Sequence, residues 1–196
     1  ANYRRHGASG RKLCRAPGIH TPDDLKGLKI RVQQSPASVN MVKAFGAAAS
    51  PMSFGEVYTA IQQGVIDGAE NNELALTNNK HGEVAKYFSY DMHQTVPDML
   101  IANRNFINGL SEDELEIFKE AARISSRVEQ EEWDVCIQEA KKIATEEMGV
   151  EFIDVDVARF REKVADVQNQ MLEDNPKIVD IYHHVQEVNA KAKGEQ

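Results

Sequence analysis

The sequence has no long apolar run and no excess of basic residues. No stretch reaches the roughly 18 consecutive apolar residues that a membrane-spanning helix needs, and the first residues do not form a signal peptide, so the chain is either cytosolic or begins after a targeting segment. The net charge of −8 leaves no basic face for a phosphate backbone, which argues against nucleic-acid binding. With 196 residues, 41% of them hydrophobic, the chain can bury a core in one or two lobes.

Residue patterns that carry enzyme chemistry are also missing. The two cysteines, Cys14 and Cys136, lie far apart and form no CxxC or Cys/His spacing. His183 and His184 are adjacent on a predicted helix, so they point to different faces and do not form a metal-binding pair. The common nucleophile, zinc and nucleotide-binding motifs do not occur. The sequence therefore predicts a protein that is not an enzyme and holds no metal or cofactor.

The spacing of apolar residues predicts an α/β fold with a helical C-terminal third. Strands are predicted at LKIRV (28–32), VIDG (65–68), YFSYDM (87–92), TVPDMLIAN (95–103) and VEFIDV (150–155). Helices are predicted at 38–49, where three alanines extend the apolar spacing, at 54–64, in two pieces within 72–86, at 111–149, at 156–174 and at 176–192. The cationic cluster in the first fifteen residues is interpreted as a flexible or edge-strand segment.

Two capping boxes mark helix starts. Ser53 with Glu56 opens the helix that ends at Gly64, and Ser111 with Glu114 opens a helix that runs to Gly149. At 1.5 Å per residue the second helix would be about 55 Å long, which is more than the width of a small domain. We expect it to span two lobes or to bend.

Arg31 lies within the apolar strand LKIRV, where period-two alternation places Lys29, Arg31 and Gln33 on one face. On pattern alone this face is slightly more consistent with exposure to solvent. An arginine held on a strand beside a cleft would instead offer its planar guanidinium to a carboxylate through two parallel hydrogen bonds. Phe54 is most simply interpreted by its position as a core residue, and a wall of a ligand-binding pocket is the second interpretation.

The adjacent amides Asn71 and Asn72 interrupt the helical pattern around VIDGAENNELA. Asparagine accepts turn geometry, so a loop between a helix and a strand explains them without any ligand. Alternatively, one of the two amides faces a ligand.

Three stretches resemble a known family. The runs TPDDLKGLKIRV, PMSFGEVYTAIQQGVIDGAEN and VPDMLIANRNFINGLSEDELEIFKEAA are similar, in order and spacing, to DctP-type solute-binding proteins of tripartite ATP-independent periplasmic (TRAP) transporters. The resemblance covers about residues 10 to 190 and implies a type II periplasmic-binding-protein-like fold, in which two lobes close over an organic acid. It implies that Arg31 pairs with the ligand carboxylate, that Phe54 lines the pocket, that Asn71 donates beside Arg31, and that Arg11 is a second ligand-binding arginine. Asn72 is expected to serve the backbone of the following helix.

The resemblance also sets expectations for the whole molecule. Members have further N-terminal residues that form most of the first lobe, so this lobe is expected to be incomplete, and an incomplete cleft is expected to bind poorly. Residues 1–95 are expected to form the second lobe, and residues 96–196 a crossover strand, the long spanning helix and C-terminal helices that pack on both lobes.

The implied function is that of a monomeric periplasmic receptor that passes an organic acid to the membrane subunits of the transporter. The stretch QTVPDMLIANRN resembles members that bind sugar acids such as uronates. A sialate or a C4-dicarboxylate is the alternative ligand, and a ligand-sensing module on the same fold is the alternative role.

Overall fold

The computed structural model describes residues 8–9, 11–14, 18–96 and 98–192. The strands are β1 (Ala8–Ser9), β2 (Arg11–Cys14), β3 (Lys29–Val32), β4 (Ala48–Pro51), β5 (Gly68–Asn71), β6 (Tyr87–Tyr90), β7 (Thr95–Val96) and β8 (Glu151–Asp154). The α-helices are α1 (Pro36–Ala44), α2 (Val57–Gln62), α3 (Leu74–Asn78), α4 (His81–Val84), α5 (Arg104–Asn108), α6 (Glu112–Glu146), α7 (Val157–Asp174) and α8 (Val179–Ala192). Short 3-10 turns occupy Pro22–Leu25, Phe54–Glu56 and Pro176–Ile178.

The central sheet has six strands in the order β4-β3-β5-β2-β6-β8. Strand β3 is parallel to both β4 and β5, whereas β2 is antiparallel to β5 and β6. Because parallel strands share their direction, the carboxyl ends of β3, β4 and β5 lie at one edge of the sheet. In open α/β sheets, ligands bind outside this edge.

Two clusters of buried residues pack on the sheet. One includes Ile30, Phe45 and Phe160, with the rings of Phe45 and Phe160 in an edge-to-face contact at 5.4 Å between centroids. The other includes Ala69 and Phe88 and extends to helices α2, α3 and α6. Since neighbouring strand residues point to opposite faces, Ile30 and Arg31 lie on different sides, and Arg31 shares a face with its register partner Ala69.

The long helix α6 confirms the prediction from the second capping box. The Ser111 hydroxyl accepts a hydrogen bond from the backbone N–H of Glu114, and the Glu114 carboxylate accepts one from the backbone N–H of Ser111. The helix has 35 residues, which corresponds to about 52 Å. It packs against α3, and its buried residues, Ala140 and Ala144, lie in its C-terminal part.

Two local predictions were wrong. The alanine-rich stretch 47–49 does not continue a helix, because Gly46 at φ +94° ends α1 and the N–H of Ala48 then bonds to the carbonyl of Leu28, starting β4 beside β3. The strand predicted at 65–68 begins only at Gly68, because Val65 and Ile66 both donate to the carbonyl of Ala60 and so close helix α2.

The extended prediction for 95–103 was too long, because the strand β7 stops at Val96 and helix α5 begins at Arg104. For Arg11–Cys14, the interpretation of the N-terminal cationic segment as flexible or as an edge strand was also wrong, since β2 lies inside the sheet between β5 and β6. The other basic residues of that segment lie outside the described part of the chain. Strand β8 joins the same sheet through β6. This pairing does not test the predicted domain division between residues 95 and 96, which stays a prediction.

Among the residues that the structure describes, no helix combines the length and the apolar character needed to cross a membrane. Cys136 is a free, exposed cysteine on α6. The side chain of Cys14 lies outside the described part of the chain.

Candidate functional site

A cavity lies at the sheet edge where β3, β4 and β5 end. Its volume is about 370 Å³, and three of the predicted site residues, Arg31, Phe54 and Asn71, line it together. Arg31 belongs to β3, Phe54 follows β4 and Asn71 is the last residue of β5. The parallel pairing of these strands therefore brings together residues that are up to 40 positions apart in the sequence.

Arg31 is the charged centre of this cavity. It is only 5% exposed, so the interpretation of its strand face as solvent-exposed was wrong at this position. Its Nε and Nη2 atoms donate to the carbonyl of Met52 at 3.1 and 3.0 Å, and Nη1 lies 3.5 Å from a carboxylate oxygen of Glu70. Each Nη atom carries a second N–H beyond these contacts. The guanidinium is thus fixed along one edge and keeps N–H donors for a ligand.

Burial lowers the pKa of Arg31, and the nearby carboxylate of Glu70 opposes this shift. An arginine starts from so high a pKa that it stays protonated in proteins. The site therefore presents a permanent positive charge, which is held in a largely desolvated position where an ionic hydrogen bond is stronger than in water.

Phe54 lies between Arg31 and the buried histidine His81. The Arg31 guanidinium is 5.7 Å from the centre of the Phe54 ring, and the ring of His81 meets Phe54 edge-on at 5.4 Å. Burial, aided by the charge of Arg31, lowers the pKa of His81 to about 4. His81 is therefore neutral at pH 7 and adds no second charge. Phe54 itself is 38% exposed, so it is a wall of the cavity and not a core residue.

The two adjacent amides have different environments. The side-chain oxygen of Asn71 accepts a hydrogen bond from the N–H of Asn72 at 2.8 Å. Because a backbone N–H can only donate, this bond identifies which side-chain atom of Asn71 is the oxygen. The amide NH₂ group of Asn71 is then able to donate to another partner. The side-chain oxygen of Asn72 accepts from the N–H of Leu74 at the start of α3, at 3.1 Å. The predicted backbone role of Asn72 is confirmed.

Arg11 is positioned by its strand. The register of β2 on β5 pairs Arg11 with Asn71, so its backbone lies at the same sheet edge as the cavity. The side chain of Arg11 lies outside the described part of the chain. Its role as a ligand-binding arginine stays a prediction.

Sequence reasoning missed several polar and aromatic residues of the site. The cavity is also lined by Gln33, Asn72, Asn79 and Trp133. Gln33 could have been found from the strand alternation that pairs it with Arg31. Trp133 could not have been found in this way, because its neighbours on α6 are charged residues typical of a solvent-exposed helix face.

The described lining of the cavity carries one charge, which is positive. Among the described residues that line the cavity, Arg31 is the one charged side chain, and the other polar ones are amides. The described residues contain no group of three or more histidines, cysteines or acidic residues able to hold a metal ion. A separate cavity of about 320 Å³ lies between α1, α7 and α8, but its described lining contains no arginine or lysine. The arrangement at Arg31 is suited to binding a small anion that carries several hydrogen-bonding groups.

The sequence matches the family described as "Bacterial extracellular solute-binding protein, family 7", also called DctP, over residues 9–175. The chain belongs to this family. The DctP resemblance drawn from the three sequence blocks is therefore confirmed. The family is one of binding proteins, in agreement with the prediction that the chain is not an enzyme.

Solved structures of similar chains share the fold. A TRAP periplasmic solute-binding protein from Anaerococcus prevotii, with bound D-glucuronate, is 48% identical, with a TM-score of 0.87 over 94% of this chain and 60% of that one. A TRAP periplasmic solute-binding protein from Sulfitobacter sp. NAS-14.1, with bound β-D-galacturonate, is 33% identical, with a TM-score of 0.84 over 89% of this chain and 58% of that one. The predicted α/β periplasmic-binding-protein fold is confirmed.

Among curated relatives, YiiZ of Salmonella typhimurium is 38% identical over 92% of this chain and 54% of its own length. The chain thus spans about half the length of the curated relatives it matches.

Proposed function

We propose that the chain belongs to the ligand-capturing component of a TRAP transporter and that its ligand is a sugar acid, with a uronate favoured. The observation that carries this proposal is the cavity at the sheet edge, where Arg31, the one charged side chain among the described lining residues, lies with several amides. In this proposal the carboxylate of the acid pairs with Arg31, the amide of Asn71 donates beside it, and Arg11 contributes from β2.

The guanidinium of Arg31 fits a carboxylate because of how it is held. The carbonyl of Met52 takes two donors on one edge, so the plane of the guanidinium is fixed before a ligand arrives. A preorganised fork loses less freedom on binding than a mobile one. Charge-assisted hydrogen bonds to carboxylate are about twice as strong as neutral ones.

The amides favour a hydroxylated acid over a dicarboxylate. Gln33, Asn71, Asn72 and Asn79 provide both donors and acceptors, which suit sugar hydroxyls. The uronates bound to the two similar solved structures are consistent with this choice. Sialate and C4-dicarboxylates are the competing ligands.

The wider role follows from the family. A solute-binding protein of a TRAP system works in the periplasm and delivers its ligand to membrane subunits, which we propose as the partners here. With a net charge of −8, binding to nucleic acid is not part of the proposal. We propose a monomer, and a receptor that performs no covalent chemistry. A ligand-sensing module that never meets a transporter is the alternative role.

The proposal is tested by thermal unfolding and titration calorimetry of the full-length protein that carries this chain, with D-glucuronate, D-galacturonate, N-acetylneuraminate, succinate and uncharged D-glucose. We expect the uronates to raise the melting temperature, since a ligand at 100 times its dissociation constant stabilises the folded state by about 2.7 kcal/mol. D-Glucose matches the ring of glucuronate without the carboxylate and should have little effect. Equal responses to glucose and glucuronate, or a response to succinate alone, would reject a uronate site.

A further inference from the structure

Trp133 is the one residue of the cavity lining that comes from the long helix α6. The strand ends supply Arg31, Gln33 and Asn71, and the segment around α3 supplies the remaining amides. Trp133 is half-buried, and its indole adds a large, flat apolar surface to a lining in which Phe54 is the other aromatic residue.

The position of Trp133 on the helix shows how it is held there. Trp133, Ile137, Ala140 and Ala144 follow one another at helical spacing, and burial increases along this stripe toward the C-terminus. Ala140 is 3% exposed and Ala144 is fully buried, so this end of the stripe is packed against the sheet side of the molecule. Trp133 is the first residue of the stripe, at the point where α6 leaves the packed body. The helix therefore places the indole at the end of this stripe, where it lines the cavity.

We infer that Trp133 is a specificity-determining residue that packs against the ring of a cyclic sugar acid bound at Arg31. This inference rests on the proposed function. A pyranose ring has an apolar face formed by its C–H groups, and such a face is complementary to an indole plane. A short linear acid can pair with Arg31 but has no ring to cover Trp133. The indole thus favours cyclic acids over linear ones, while the guanidinium selects for the carboxylate.

The chain supplies its own reporter, because Trp133 is the only tryptophan in the sequence. Selective excitation of tryptophan during a titration with D-glucuronate should give a saturable change in emission, with the same dissociation constant as calorimetry. Succinate bound at Arg31 should change the emission less. Heat of glucuronate binding without any change in tryptophan emission would overturn the inference.

Substitution separates specificity from simple binding. In calorimetry we expect Trp133→Ala to weaken D-glucuronate about tenfold, and to change succinate binding less than twofold. Trp133→Phe, which keeps an aromatic ring, should stay within about threefold of the parent. The control is Val135→Ala on the same helix, where the side chain is 52% exposed and outside the cavity lining; it should leave both affinities unchanged.

The outcomes distinguish the two proposals. If the parent chain binds D-glucuronate but Trp133→Ala binds it equally well, or weakens both acids alike, Trp133 is not a specificity determinant and the proposed function stands. If the full-length protein that carries this chain binds no acid in either assay, the proposed function fails, and this inference fails with it.

Discussion

At the scale of single residues, Arg31 is the most important side chain of the proposed site. Its guanidinium donates to the carbonyl of Met52 and is also the proposed partner of the ligand carboxylate. We expect Arg31→Lys to weaken uronate binding about tenfold or more, since a lysine keeps the charge but loses the planar fork. Calorimetry gives the affinity, and thermal unfolding checks that the variant is folded. Arg123→Lys is the matched control, because Arg123 is an exposed side chain paired with Glu120 on α6.

His81 makes the stability of the fold depend on pH. Its pKa is about 4 in the folded protein, below the ordinary value of 6.5, so the unfolded chain binds a proton more readily between these two values. The contribution of neutral His81 is present above pH 6.5 and is lost as the pH falls toward 4. A shift of this size corresponds to about 3 kcal/mol.

The variant His81→Phe isolates this effect, because phenylalanine keeps an aromatic ring against Phe54 and does not titrate. We expect the parent to lose about 3 kcal/mol more unfolding free energy than the variant between pH 7 and pH 4. Urea unfolding at each pH measures it, with His183→Gln on the exposed side of α8 as the control. Parallel pH profiles for the parent and His81→Phe would show that His81 is not held neutral by burial.

Sequence reasoning reached part of the site at this scale. Arg31, Phe54 and Asn71 were named from family resemblance, and the structure brings them to one cavity. Local pattern alone did not give the burial of Arg31, because alternation shows which residues share a face but not what covers that face. Trp133 was missed for a related reason, since the contact that places it at the cavity joins distant parts of the chain.

At the scale of elements, α7 contributes to the fold through Phe160. This residue is 1% exposed, and its ring contacts the ring of Phe45 at the C-terminal end of α1. We expect Phe160→Ala to lower the free energy of unfolding by about 3 to 5 kcal/mol, since it removes a fully buried ring and leaves a cavity. Chemical denaturation measures the loss, and Phe160→Leu should cost less.

The effect of Phe160→Ala on ligand binding should be small. Phe160 packs in the cluster that includes Ile30, on the face of the sheet opposite Arg31. The folded fraction of the variant should therefore bind D-glucuronate within about twofold of the parent, because distant sites without shared partners act independently. A large loss of affinity in fully folded variant protein would show that the two faces of the sheet are coupled.

Helix and strand boundaries were predicted correctly where neighbouring residues determine them. The predictions failed where hydrogen bonds to another part of the structure determine the boundary. The capping box at Ser111 marks the start of α6 because both of its hydrogen bonds lie within one turn. The start of β5 was misplaced because Val65 and Ile66 have the residue types of a strand, yet their N–H groups close the preceding helix. The alanines after Gly46 favour a helix by propensity, but pairing with β3 outweighs this preference.

At the scale of the whole molecule, the fold could be predicted because the family signature covers most of the chain, residues 9–175. The parallel order of β4, β3 and β5 could not be read from composition, although it is this order that gathers the site residues at one edge. The glucuronate-bound neighbour has a longer chain, of which 60% is matched here.

In the proposed binding mode, Arg31 and Asn71 hold the carboxylate of a sugar acid at the sheet edge. A crystal structure of the protein with bound D-glucuronate would show this contact. We expect the ligand carboxylate to lie within hydrogen-bonding distance, about 2.7 to 3.2 Å, of the Arg31 guanidinium and of the Asn71 amide nitrogen. A carboxylate bound elsewhere, with Arg31 contacting only Met52 and Glu70, would contradict it.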